Sequence, residues 1–271
     1  MRKDKGIVAQ LDEAEMILRY ESKMKFMGAP HSNVEESIRK NLMVIEHILR
    51  HKHDTVLDVG CGYGVLIRTL SSLLKEGIFV GGDLVRESIA SNDILADGPE
   101  FMTIDLDKPL PFKNGSFDIV IAIEVIEHLS NLAGFFSEMG RILKKGGILV
   151  ITAPYINALF FLIMRALPKS VVISLVGLQG RKSCFIPSII KDEAFLAEPD
   201  AHKVDGFSKG DFIEFGRKNL FEMDQYKTFR FPVPEFLLNS LPRFLCDFII
   251  KAADNFFPLG LECFVVYRKA K

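Results

Sequence analysis

Three observations predict a doubly wound α/β fold with a mostly parallel sheet. Short β-rich runs alternate with helical patterns from Thr55 to Ala153. The fourth run, Phe117–Ile123, is nearly all apolar, as a parallel strand covered on both faces requires. The first run, Val56-Leu57-Asp58-Val59, ends in three glycines, Gly60, Gly62 and Gly64, ahead of a helical stretch. Glycines let the backbone turn sharply and come close to a ligand, and the helix start that follows offers unpaired N–H groups to an anion.

Composition narrows the class. The chain has 271 residues and a net charge of -1, so no basic footprint marks nucleic acid as the main partner. Cys61, Cys184, Cys246 and Cys263 stand far apart, with neither zinc spacing nor a disulfide framework. That cysteine usage makes a reducing cytoplasm the expected location, and the basic start, Met1 to Lys5, has no apolar run behind it, so no signal peptide is read there.

In chain order, residues 7–25 read as an amphipathic helix with Leu11, Ala14, Ile17 and Leu18 on one side. Met27-Gly28-Ala29-Pro30 breaks it. A second helix is expected from about Val34 to Arg50, with Ser32 or Asn33 as its cap. His47, His51 and His53 are read as helix-end residues, because no carboxylate or cysteine stands at ligand spacing. After the glycine turn, Ile78-Phe79-Val80 is a second strand ending at Asp83, 23 positions beyond Gly60. An acid at about that interval reaches ribose hydroxyls, since a carboxylate accepts hydrogen bonds from both.

Arg86 to Ala96 is a short helix, and Phe101 to Ile104 a third strand leading to Asp105. Pro109 to Ser116 is a turn-rich loop. Beyond the fourth strand, Glu124-Val125-Ile126-Glu127-His128-Leu129 occupies the strand's C-terminal end, where open α/β sheets bind ligands. A helix then runs to Leu143, Lys144-Lys145-Gly146-Gly147 is a helix stop, and Ile148 to Ala153 is the fifth strand. Asp118, at the other end of its strand, is expected to be structural.

These residues together resemble class I S-adenosylmethionine-dependent methyltransferases of the broad small-molecule type. The matching motifs are Val56 to Gly64, Asp83, Asp105 before Pro109-Leu110-Pro111-Phe112, Ser116 to Val120, Glu124 to Leu129, and Arg141 to Gly147. The resemblance covers residues 54–153 and implies a Rossmann-like, seven-stranded sheet whose last strand lies antiparallel between its neighbours. It implies S-adenosyl-L-methionine as cofactor. Gly60, Gly62 and Gly64 would wrap its methionine part, with Asp58 orienting that loop. Asp83 would hold the ribose with Leu84 beside it, and Asp105 would meet the adenine amino group with Leu106 stacked alongside. Ile123 and Glu124 would begin the loop over the methionine end. His128 is the candidate base for an acceptor that must lose a proton; a helix-capping role is the alternative. Glu124, Glu127 and His128 also resemble the Glu-x-x-Glu-His group around a divalent metal in some quinone O-methyltransferases, but the same string occurs in relatives without one, and no metal is assigned.

Three parts are expected: helices at 1–53, the cofactor half at 54–153, and a substrate half at 154–271. The last part carries apolar helical insertions at 155–206 and 232–258. Gly146 to Met164 is uncharged for nineteen residues, but Pro154 divides it, so a lid or an in-plane membrane element is read rather than a span. His202 precedes a helix from Ser208 to Lys218 with Ser208 as cap. Leu220 to Phe231 and Leu261 to Tyr267 are the last two strands, followed by a solvated basic tail. The expected reaction is methyl transfer to a small, hydrophobic acceptor such as a quinone, isoprenoid or lipid-like molecule, with peripheral membrane contact open. The alternatives are a protein or polar acceptor, a nicotinamide-dependent oxidoreductase, and a non-catalytic cofactor-binding subunit.

Overall fold

The computed structural model describes residues 34–51, 53–85, 98–157, 166, 204, 206–229 and 261–270. The helices expected at 7–25 and 86–96, the caps Ser32 and Asn33, His202, the whole of 232–258 and nearly all of 155–206 lie outside the described residues. Elements follow in the order α1 (Val34–Ile48), β1 (Thr55–Val59), α2 (Val65–Leu74), β2 (Ile78–Asp83), β3 (Glu100–Thr103) and β4 (Phe117–Ile123). Then come a single 3-10 turn (Ile126–His128), α3 (Leu132–Ile142), β5 (Leu143–Pro154), α4 (Lys209–Lys218), β6 (Phe221–Phe229) and β7 (Glu262–Lys269). The seven strands hydrogen-bond in the order β3-β2-β1-β4-β5-β7-β6.

The chain divides into two compact units. The first takes the described residues through Ala122 together with Ser137–Val150; the second takes Ile123–Phe136 and Ile151–Ala270. In the first unit β1 pairs in parallel with β2 and with β4, and β2 with β3. The strand order reverses between β1 and β4, the place where doubly wound sheets open a crevice at their carboxyl ends. Val56, Leu57 and Val59 are buried, as are Ile119, Val120 and Ala122 facing them in the next strand. Helix α2 lays Leu66, Ile67 and Leu70 into the same core. At the amino end of the sheet Asp118 accepts hydrogen bonds from the N–H groups of Asp54 and Thr55, from Thr55 Oγ1 and from Lys144 Nζ, all at 2.8–2.9 Å. It therefore ties β4 to the start of β1 and to β5, as its place in the strand implied.

In the second unit β6 and β7 pair antiparallel with a bulge between Met223 and Gln225. Helix α4 begins with a capping box: the Ser208 hydroxyl accepts from the Asp211 N–H, and the Asp211 carboxylate accepts from the Ser208 N–H. Phe136 stacks on Phe215 at 4.6 Å between ring centres, and the Tyr267 hydroxyl donates to Phe212 O at 2.6 Å.

Three boundaries differ from the sequence reading. Helix α3 stops at Ile142, and Lys144–Gly147 belongs to β5, not to a separate helix stop. The Lys144–Asp118 bond holds this segment against β4, and a Cβ on Gly147 would come within 3.0 Å of Asp118 O, so glycine serves close packing there. Strand β6 begins after Leu220, which adopts a left-handed φ of 58° in the turn. Strand β7 continues through Arg268 and Lys269, which pair with Glu222 and Phe221, and Arg268 bonds Asp224 at 2.6 Å. Arg268 and Lys269 of the expected tail are strand because antiparallel partners for them exist.

Candidate cofactor-binding site

The glycine turn sits at the carboxyl end of β1. Gly60, Gly62 and Gly64 all have positive φ, at 69°, 51° and 67°, a conformation that side chains with a Cβ rarely adopt. The Gly60 N–H donates to Gly82 O at 2.7 Å and the Cys61 N–H shares that acceptor. Gly64 N–H closes the turn on Cys61 O, and the Arg68 N–H then bonds Gly64 O to start α2. A Cβ built on Gly62 meets no atom within 4 Å, so the loop borders open space there.

Asp83 closes this cradle. One carboxylate oxygen accepts the Gly62 N–H at 2.8 Å and the other accepts the Val85 N–H at 2.9 Å. The acid at the end of β2 is thus in hydrogen-bond contact with the loop 21 residues earlier. Beside it Leu84 is 60% exposed and Val85 42%, apolar surface left open next to a carboxylate. Asp58 lies one strand inward, 3% exposed. Burial, and then the charge of Asp83, push its carboxyl up to about 8. Burial and the same two acids push the Cys61 thiol up as well.

Asp105 starts a tight turn after β3. Its carbonyl accepts from the Lys108 N–H at 3.1 Å, its Oδ1 from the Asp107 N–H at 3.1 Å, and its Oδ2 pairs with Lys108 Nζ at 2.9 Å. The bond to Lys108 holds the Asp105 carboxyl below its ordinary range. The preceding Ile104 N–H donates to Asp83 O at 2.9 Å, linking this turn to the end of β2. Leu106 is half-buried beside it.

Asp58, the three glycines, Asp83, Leu84, Asp105 and Leu106 all belong to the first unit. Ile123, Glu124 and His128 belong to the second. There Glu124 has a φ of 52°, unusual for a residue with a side chain. Its N–H donates to Thr152 O at 3.0 Å and its Oε1 accepts from Thr152 Oγ1 at 3.1 Å. Thr152, fully buried in β5, therefore grips Glu124 at backbone and side chain. His128 ends the 3-10 turn, its N–H donating to Val125 O at 3.0 Å. Glu127 is fully buried. Among the described residues no three His, Cys, Asp or Glu side chains group to hold a metal, and this includes the Glu124, Glu127 and His128 string and His47, His51 and His53.

Sequence reasoning passed over Gly81, Gly82 and Thr152. A Cβ on Gly82 would run into the Ile104 side chain, and one on Gly81 into the Phe101 ring and Cys61 Sγ. The pair lets β3 and the glycine loop close on the end of β2. A glycine pair directly before the strand-end acid was the visible signal. Thr152 gave none.

The parts fit an adenosyl ligand. An acid reaches the glycine loop, open space borders Gly62, apolar side chains stand free beside the acid, and a second acid lies on the next strand's turn. The strand order, with its reversed last pair, and this cradle define the fold of class I S-adenosylmethionine-dependent methyltransferases. Residues 57–151, a little over a third of the chain, match the family model described as a methyltransferase domain, and the chain carries a domain of that class. A sterol 24-C-methyltransferase of Gibberella zeae is 36% identical over 42% of this chain and 32% of its own length. A ubiquinone biosynthesis O-methyltransferase of Nitrosococcus oceani is 30% identical over 51% of this chain and 56% of its own. The chain thus spans from a third to just over half of these two relatives. A solved S-adenosylmethionine-dependent methyltransferase of Mesorhizobium loti has the same fold at a TM-score of 0.52, with 14% identity over 80% of this chain and 91% of that one.

Proposed function

We propose that the protein transfers the methyl group of S-adenosyl-L-methionine to a small, hydrophobic acceptor. The observation that carries the cofactor half is the Asp83 carboxylate bonded to the Gly62 N–H. That bond supports reading Asp83 as a two-point acceptor for ribose hydroxyls at the loop that turns under the ligand. Bound there, the cofactor would supply a methyl group activated by its sulfonium, with S-adenosylhomocysteine as the leaving group when an acceptor nucleophile takes that methyl. The chain's own residues then have mainly to hold and orient, and alignment of reactants is worth several kcal/mol, roughly 7–11 in favourable cases. The glycine loop admits the ligand's backbone-close end, Asp83 fixes the ribose and Asp105 reads the adenine amino group. We assign Ile123 and Glu124 as further ligand contacts and His128 as the base where the acceptor must lose a proton.

The acceptor class is supported by the names of the relatives, a sterol methyltransferase and a methyltransferase of ubiquinone biosynthesis. The apolar runs at 155–206 and 232–258 of the sequence suit the same chemistry. A peripheral contact with lipid and a cytoplasmic location remain part of this proposal. No helix among the described residues is long and apolar enough to cross a membrane. Transfer of labelled methyl into a cell extract, separated into lipid, aqueous and protein fractions, tests the acceptor class. Label in the lipid fraction is expected; label confined to the protein or aqueous fraction would replace the hydrophobic acceptor.

A further inference from the structure

Resting on that cofactor assignment, we propose that Glu138 and Arg141 of α3 are positioning residues for adenine recognition, acting through the turn that carries Asp105. The two side chains form a forked ion pair, Arg141 Nε to Glu138 Oε1 at 2.8 Å and Nη2 to Oε2 at 2.7 Å. Arg141 spends its remaining donors on one loop. Nη2 donates to Leu110 O at 3.0 Å, and Nη1 to Phe112 O at 2.6 Å and to Asn114 Oδ1 at 3.1 Å. Glu138 Oε2 accepts the Leu110 N–H at 2.8 Å. The carbonyl of Arg141 accepts the Gly115 N–H at 2.9 Å. One pair on a helix thereby pins both backbone groups of Leu110 and the loop after it.

The consequence lies five residues upstream. The Asp105 turn is closed on itself by the Lys108 N–H, the Asp107 N–H and the Lys108 ammonium. Such a turn moves as a body, so its place is set by its two ends. One end is Ile104, whose N–H is held by Asp83 O. The other is Leu110, buried and held by the clamp. Asp83 and Asp105 are thus kept at a fixed separation by a strand on one side and an ion pair on the other. A guanidinium fork makes several of these bonds at once, and lysine cannot replace it.

The test uses the full chain and two ligands, S-adenosylhomocysteine and S-inosylhomocysteine, which differ in the adenine amino group. Calorimetry is run on wild type, Glu138→Gln, Arg141→Lys and, as a control for general destabilisation, Asp118→Asn. Wild type and Asp118→Asn are expected to prefer the adenosyl ligand by at least about tenfold. Glu138→Gln and Arg141→Lys are expected to bind it about tenfold more weakly and to lose most of the preference. Glu138→Gln keeps shape and serves if Arg141→Lys does not fold. Wild-type affinity and preference in a folded clamp variant would overturn the proposal, as would a wild type that binds both ligands equally. A wild type that binds neither would instead remove the cofactor assignment on which the proposal rests.

Discussion

Asp58 and Asp83 are two carboxylates on neighbouring strands whose surroundings differ. Asp83 accepts two backbone N–H bonds, whereas Asp58 is buried and feels the charge of Asp83. Its carboxyl moves from an ordinary 3.8 up to about 8. The sign of the linkage follows. Between about pH 4 and pH 8 the unfolded chain has lost this proton and the folded chain keeps it, so stability falls as pH rises. The contribution is on the order of 1 kcal/mol for each pH unit across that window. Asp58→Asn should flatten the decline measured by denaturant unfolding of the ligand-free protein from pH 5 to pH 8. An unchanged slope in that variant would mean Asp58 is ionised in the fold. At Gly62 the φ of 51° with open space beyond makes backbone strain the first cost of a side chain. Gly62→Ala should therefore lose about 1 kcal/mol of stability and also ligand affinity, read by thermal unfolding with and without S-adenosylhomocysteine.

At the scale of elements, α4 shows how local chemistry sets a boundary. Ser208 and Asp211 exchange the two bonds of a capping box, and Ser208→Ala should cost about 1 kcal/mol in unfolding free energy. The loss belongs to the helix start, so ligand affinity should be unchanged. Asp118 plays a comparable part for the sheet, and Asp118→Asn removes the acceptor for Lys144. The pair is partly exposed, so the expected loss is about 1–2 kcal/mol, measured as a lower denaturation midpoint. Much of this was legible in sequence. The strands β1, β2 and β4 announced themselves as apolar runs, and Gly60, Gly62, Gly64 and Asp83 by glycine spacing and interval. Ser208 was readable as a cap because its side chain acts within its own turn. What escaped depended on partners distant in the chain. Lys144–Gly147 reads as a helix stop until Asp118 is seen beside it, and Arg268 reads as tail until Asp224 is. Thr152 grips Glu124 from a strand whose sequence is simply apolar. Glu138 and Arg141 look like an ordinary pair on a helix face; that they hold Leu110 is a fact of tertiary structure.

For the molecule as a whole, the domain class rests on agreement between strand order, cradle geometry and the match over residues 57–151. The acceptor rests on less, because two relatives with a similar domain are named for different chemistry, a sterol 24-C-methyltransferase and a ubiquinone biosynthesis O-methyltransferase. A shared cofactor cradle can serve different acceptors, since chemistry is set by the residues grafted on the fold. The claim that comes first is therefore the cradle itself. Calorimetric titration of the full chain with S-adenosylhomocysteine, in wild type and in Asp83→Ala, tests it most directly. Saturable one-site binding by wild type, weakened at least about tenfold in a folded Asp83→Ala, is the predicted result. Equal affinity in the two proteins would contradict the ribose assignment, and no binding by wild type would contradict the cofactor site altogether.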